Sequence, residues 1–135
     1  TTICNSGPSE FLATVALRHA EPITARNRAI MRENLPGLVR LFEQFPDLIE
    51  WSVPDGGCVA FPRYLGADGV EEFCESLVRE RSAVLLPSSI YASQLADVPT
   101  DRFRIGLGRR DPAAGWAALA AHLRARQAGP SAAPG

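Results

Sequence analysis

The chain has 135 residues, of which 46% are hydrophobic and 21% charged, and its net charge is −1. These are the proportions of one globular domain that buries roughly two-thirds of its unfolded surface, which argues against a disordered protein, a collagen or a coiled coil. A near-neutral chain offers no basic footprint for nucleic acid, and no apolar run approaches the roughly 18 residues that span a membrane.

Taken in chain order, residues 9–19 read as a helix capped by Ser9, with Phe11, Leu12, Val15 and Ala16 as its apolar stripe. Pro22 suits the first turn of a second helix running to about Phe45. Met31, Leu35, Leu38, Phe42 and Phe45 share one of its faces, and Arg26, Arg28, Arg32 and Arg40 lie on the solvated side. Pro36 removes a hydrogen bond inside this run, so a kink or a split is expected near Asn34.

A hairpin is expected next. Leu48–Val53 and Cys58–Pro62 alternate, and Pro54-Asp55-Gly56-Gly57 between them is a strong turn signal. Val59 and Phe61 share one face against Cys58 and Ala60, and Pro62 ends the strand or lies at an edge.

Asp68 with Glu71 reads as an acidic capping box, followed by a helix with Val70, Phe73, Cys74, Leu77 and Val78 on one face. Residues 83–86 form a short buried strand closed by Pro87, and 87–101 are a long loop of the kind that lines sites. In Arg102–Leu107 the pleat puts Phe103, Ile105 and Leu107 on one face and Arg102, Arg104 and Gly106 on the other. Asp111-Pro112 opens a last helix with Trp116, Leu119, Ala120 and Leu123 as its stripe, and 129–135 read as a disordered tail. The order implies an α+β fold, a small mixed or antiparallel sheet with helices packed on one side, preceded by a long kinked helix.

All fourteen basic residues are arginines. The chain therefore has no lysine amine to form a Schiff base with a carbonyl cofactor. It begins at Thr1 without a Met, which suggests a piece of a longer chain, and Thr1–Asn5 have neither the basic start nor the long apolar stretch of a signal peptide. Cys4, Cys58 and Cys74 show no paired spacing and read as reduced thiols of a cytosolic protein, with Cys58 and Cys74 in the core.

Among candidate site residues, Arg104 stands out. Inward neighbours turn it away from the core, its guanidinium fits a carboxylate bidentately, and Gly106 and Gly108 leave room for a ligand. The plain alternative is an arginine on a solvated sheet face, and Arg102 has the same orientation. Gly106-Leu107-Gly108-Arg109-Arg110 before a helix is a weak phosphate-loop match, with Asp111 opposing an anion there. His19 and His122 lack metal-ligand partners and read as surface residues; a dyad with Ser88 or Ser89 has no supporting context. Glu71, Glu72 and Glu75 read as a solvated face, and Tyr91 either bonds a ligand or anchors its loop.

Read together, the helix pair, the Pro-Asp-Gly-Gly-Cys-Val-Ala-Phe-Pro hairpin at 54–62, Val-Leu-Leu-Pro-Ser-Ser at 84–89 and Phe-Arg-Ile-Gly-Leu-Gly at 103–108 resemble the C-terminal part of class I/II aminotransferases, pyridoxal-phosphate enzymes of the aspartate-aminotransferase fold. The resemblance spans Asn5 to about Gln127. It implies that residues 1–21 end the large cofactor-binding domain, that 22–128 form the small domain, and that 129–135 are a tail. It selects Arg104, not Arg102, as the arginine that binds the substrate α-carboxylate.

The resemblance also implies that the Schiff-base lysine and most pyridoxal 5'-phosphate contacts lie ahead of this sequence, so the fragment alone should not catalyse. The implied parent is a cytoplasmic homodimer that moves an amino group between an amino acid and a 2-oxo acid, with Asn5–Pro8 near the dimer interface. No nucleic-acid, membrane or metal partner is implied. The alternatives are another pyridoxal-phosphate reaction (a cyclase, decarboxylase or synthase) and a non-enzymatic small-molecule-binding α+β module.

Overall fold

The structure is a computed structural model that describes residues 6–129. Cys4, Asn5 and residues 130–135 of the expected tail lie outside them. Helix α1 spans Gly7–Arg18 and starts at Ser6, ahead of the expected Ser9, because Pro8 suits its first turn. Helix α2, Ala20–Phe42, follows after His19 and is not split at Pro36. The carbonyl that Pro36 leaves without a partner belongs to Arg32, an exposed residue, so water can satisfy it.

Helices α3 (Gly69–Arg81) and α4 (Ala113–Gln127) complete the helical layer. The strands are β1 (Ile49–Glu50), β2 (Val59–Ala60), β3 (Arg63–Tyr64), β4 (Leu86–Pro87) and β5 (Phe103–Gly106). All pairings are antiparallel: β1 with β3, and β2–β5–β4 in a three-stranded sheet with β5 in the middle. This is the α+β class expected.

The expected hairpin between 48–53 and 58–62 does not form. Segment 58–64 instead runs along the last strand, with Val59 opposite Gly106, Ala60 opposite Ile105 and a bridge between Arg63 and Arg102. Ile49 and Glu50 pair one step later, with Tyr64 and Arg63. Burial decides the register. Ala60 and Pro62 face the core, so Val59 and Phe61 face outward; Cys58 shares the face of Ala60 but stands ahead of the first strand pair and is exposed, not buried as expected. Gly57 supplies the positive φ that the turn needs.

Three other expectations change. Asp68 makes no capping bond to its helix, because Tyr64 and Arg126 occupy both its oxygens. Val78 is exposed. The strand expected at 83–86 lies at Leu86–Pro87 on the sheet edge, where a proline removes no ladder bond, and Val84 is 69% exposed.

A chain of aromatic contacts joins the layers. Trp51 packs edge-on against Phe42 at 5.0 Å, Phe42 against Phe103 at 6.4 Å, Phe103 against Phe73 at 5.5 Å, and Phe73 stacks on Tyr64 at 4.2 Å. Phe103 thus ties β5 to α2 and α3 at once. The α2 stripe packs as expected, with Leu38, Phe42 and Phe45 buried and Met31 and Leu35 half-buried against them.

Helices α2 and α4 meet where Gly37 lies under the Trp116 ring; a Cβ there would come within 2.4 Å of it. Gly115, one residue away from that ring on α4, has open space. Gly37→Ala should therefore destabilise by about 1–3 kcal/mol, as overpacking does. Gly115→Ala should stabilise by about 1 kcal/mol through helix propensity. Urea unfolding of both variants checks the opposite signs.

Candidate functional site

The pleat of β5 sorts its side chains as the sequence predicts: Phe103 and Ile105 are buried, Arg104 and Gly106 exposed. The pairing of 59 with 106, 60 with 105 and 63 with 102 puts Phe61 opposite Arg104 on the outer face. Leu86 is opposite Arg104 on the other side. Arg104 thus rises between two apolar neighbours on a fixed strand. Tyr91 closes the group. It ends a 3-10 turn, Ser88–Tyr91, packs edge-on against Phe61 at 5.6 Å, and sets its hydroxyl 3.5 Å from Arg104 Nη1.

The two competing arginines now separate. Arg102 Nη1 donates to the Phe61 carbonyl at 3.0 Å. Neither Arg102 nor Arg104 has a carboxylate partner among the described residues, but the Arg104 guanidinium makes no bond to a backbone carbonyl there; Arg28, Arg63, Arg79 and Arg126 each have an acid. A guanidinium without its own acid can accept one from a ligand. A cavity of about 500 Å³ opens between the end of α3, the approach to β4 and the first turns of α4, and Arg104, Gly106, Arg109 and Trp116 border it. A methyl at Gly108 would meet nothing within 4 Å, and one at Gly106 only the Cys58 carbonyl at 3.9 Å.

Asn34, a residue the sequence reading did not single out, holds the end of this strand. It is buried in α2, and its Nδ2 donates to the carbonyls of Leu107 and Arg109, both at 2.7 Å. The phosphate-loop reading of 106–110 gains no support. Asp111 Oδ1 accepts the Ala113 N–H at 3.3 Å, so a carboxylate already sits at that helix start. Ser88 bonds the backbone of Arg102, and neither Ser88 nor Ser89 pairs with a histidine among the described residues. His19, Glu71, Glu72 and Glu75 are exposed as expected.

His122 is the clearest departure: it is fully buried, not on the surface. Its Nε2 lies 3.2 Å from the Phe73 carbonyl and 3.3 Å from Ser76 Oγ, and its Nδ1 lies 3.2 Å from Arg126 Nη1 and 3.4 Å from Glu80. A carbonyl only accepts, so Nε2 carries the proton and Nδ1 accepts from Arg126. Ser76, His122 and Glu80 meet in the order of a catalytic triad, but the arrangement cannot act as one. Ser76 is buried, its proton goes to the Glu72 carbonyl and its oxygen accepts from Arg126. Arg126 also reaches Asp68 at 2.8 Å, which accepts from Tyr64 at 2.7 Å. The network fastens α3, α4 and β3 together behind the sheet.

The titrations follow from this packing. Burial alone would raise the Asp68 carboxyl, but the hydrogen bonds from Tyr64 and Arg126 outweigh it and hold it low. Burial pushes the Cys74 thiol up to about 12, with Glu71 adding to it, so it is inert. Among the described residues no cluster of His, Cys, Asp and Glu could hold a metal ion, and no helix is long and apolar enough to cross a membrane.

No family model matches the chain. It is 29% identical over 126 residues to capreomycidine synthase of Streptomyces vinaceus, covering 89% of this chain and 31% of that protein. It superposes on the pyridoxal-phosphate-dependent cyclase OrfR with a TM-score of 0.79 at 29% identity, over 93% of this chain and 34% of the other. A pyridoxal-phosphate-dependent aminotransferase from Streptococcus suis gives 0.78 at 27% identity, over 93% and 32%. The chain fits the C-terminal part of a fold-type-I pyridoxal-phosphate enzyme. It spans about a third of the length of the relatives it matches.

Burial, followed by the Arg126 charge, lowers the His122 pKa, so the folded state favours the neutral ring. The unfolded chain takes up its proton first as pH falls below about 6.5, so stability is full above that pH and declines beneath it, by at most about 1.4 kcal/mol per pH unit. Denaturant midpoints between pH 8 and 5 should show this decline, and His122→Gln should flatten it.

Proposed function

We propose that this chain is the domain that grips the α-carboxylate of an amino-acid substrate in a pyridoxal-phosphate-dependent aminotransferase. The observation that carries the reading is Arg104: a guanidinium fixed on β5, facing away from the core, with no acid partner among the described residues. The residues fit a substrate carboxylate. They do not fit covalent attachment of the cofactor, because the chain contains no lysine.

In this reading the cofactor is held mainly by the rest of the parent and supplies the electron sink when bound. This domain supplies position. Two N–H groups of Arg104 meet both carboxylate oxygens, which leaves the α-C–H bond with one orientation. Phe61 and Leu86 flank the guanidinium on the neighbouring strands.

Residues 1–21 are proposed to end the large domain, and 22–128 to form the small one. Helix α1 supports this: it buries none of its residues, and Phe11 and Leu12 are 69% and 65% exposed. An apolar stripe left open on this scale has a partner in the parent. The parent is proposed to be a cytoplasmic homodimer that uses a 2-oxo acid as amino acceptor.

The similarity to capreomycidine synthase and to a cyclase, both at 29% identity, favours a second reading, in which the parent closes a ring on an amino acid without an acceptor. Consumption of a 2-oxo acid in step with the amino acid separates the two.

Arg104→Ala in the full-length enzyme should raise KM for the amino acid by about 30- to 1,000-fold, the equivalent of about 2–4 kcal/mol for a lost charged bidentate contact. The absorbance of bound cofactor should not change. An unchanged KM would defeat the assignment.

A further inference from the structure

We infer that Tyr91 is a second hydrogen-bond donor to the same substrate carboxylate, acting together with Arg104. The inference rests on the reading of Arg104 as the carboxylate clamp and adds a residue to it.

The argument begins with what the ring needs. Tyr91 is anchored by its edge contact with Phe61, at 5.6 Å and 80° between planes. A phenylalanine would make that contact equally well, so the hydroxyl is surplus to anchoring. It also faces no acceptor among the described residues. Its neighbour there is Arg104 Nη1 at 3.5 Å, the outer limit of a hydrogen bond.

A guanidinium has only donors, so the phenol oxygen accepts from Arg104 and the phenol proton is left over. Donation into an oxygen strengthens that group's own O–H as a donor. The position of that proton is set by rigid parts. The 3-10 turn that ends in Tyr91 follows β4 directly, and β4 is paired to β5 at Leu86–Arg104 and Pro87–Phe103. The hydroxyl and the guanidinium therefore share one frame, on the face where Phe61 stands opposite Arg104.

A carboxylate offers about four lone-pair sites on two oxygens. Arg104 uses two of them, one on each oxygen, and the Tyr91 proton reaches a third. No proton is transferred and no bond is made or broken. The pair recognises an α-amino acid and discriminates against the corresponding amine, which would leave both donors unpaired. Tyr91 is a binding residue and takes no part in the chemistry.

The test uses the full-length holoenzyme and its Tyr91→Phe and Arg104→Ala variants. Calorimetric titration with the twenty standard L-amino acids identifies the tightest binder, and its decarboxylated amine serves as the control. Tyr91→Phe keeps the ring and its contact with Phe61. It should weaken the amino acid about tenfold and leave the amine unchanged. Arg104→Ala should weaken the amino acid about a hundredfold.

An amino-acid Kd unchanged in Tyr91→Phe but weakened in Arg104→Ala overturns the inference and leaves the carboxylate reading standing. Equal weakening of amino acid and amine in Tyr91→Phe also overturns it, because the hydroxyl would then not be reading the carboxylate. No weakening in either variant removes the carboxylate reading itself.

Discussion

The pleat of β5 is the constraint on which the rest depends. Phe103, fully buried between Phe42 and Phe73, and Ile105 beside it lock one face of the strand into the core. A slip of one residue would expose both and bury Arg104, and burying an unpaired guanidinium costs several kcal/mol on top of the lost apolar contacts. The position of Arg104 is therefore set by the energetics of its neighbours. The same logic extends outward. Because 58–64 runs in register along 101–107, the burial of Ala60 and Pro62 decides that Phe61 lies beside Arg104.

Strand β5, the α2 stripe and the start of α4 were legible because each is a local pattern whose period matches its element. The partner of 58–62 was not. A strong turn at 54–57 suggests pairing across it, yet the energy lies in the long-range ladder to 103–107. The exposure of Cys58 was not legible for a related reason: it shares its face with the buried Ala60, but it stands at the end of the pairing, next to the turn. His122 was missed because its partners lie 46 and 49 residues away in Ser76 and Phe73. The one local signal was Arg126, four residues on and on the same helical face. Asp68 was read as a cap because spacing shows a helix start but not which group competes for the carboxylate; Tyr64 and Arg126 win both oxygens.

The polar residues divide into two sets with different physics. Behind the sheet, Tyr64, Asp68, Arg126, His122 and Ser76 satisfy one another, and no buried side-chain nitrogen or oxygen lacks a partner among the described residues. A satisfied network of this kind rigidifies what it joins. On the outer face the reverse holds: Arg104 has no acid, and the Tyr91 proton no acceptor, among the described residues. Donors left unused beside a satisfied frame support the proposed site, because a rigid frame holds them in place.

The proposed carboxylate grip would serve more than one reaction of the parent. A cyclase and an aminotransferase share its fold at TM-scores of 0.79 and 0.78, with 29% and 27% identity. Near-equal likeness to proteins of different named activity is compatible with the proposed role, a task that both would need. Holding an amino acid by its carboxylate is such a task. As proposed, it would fix the substrate whatever bond is broken next, and a chain with no lysine offers no amine for the Schiff base. In the proposed reading, selectivity for the reaction resides with the groups around the cofactor, and selectivity for the α-amino-acid class with Arg104, which the buried residues of β5 turn outward.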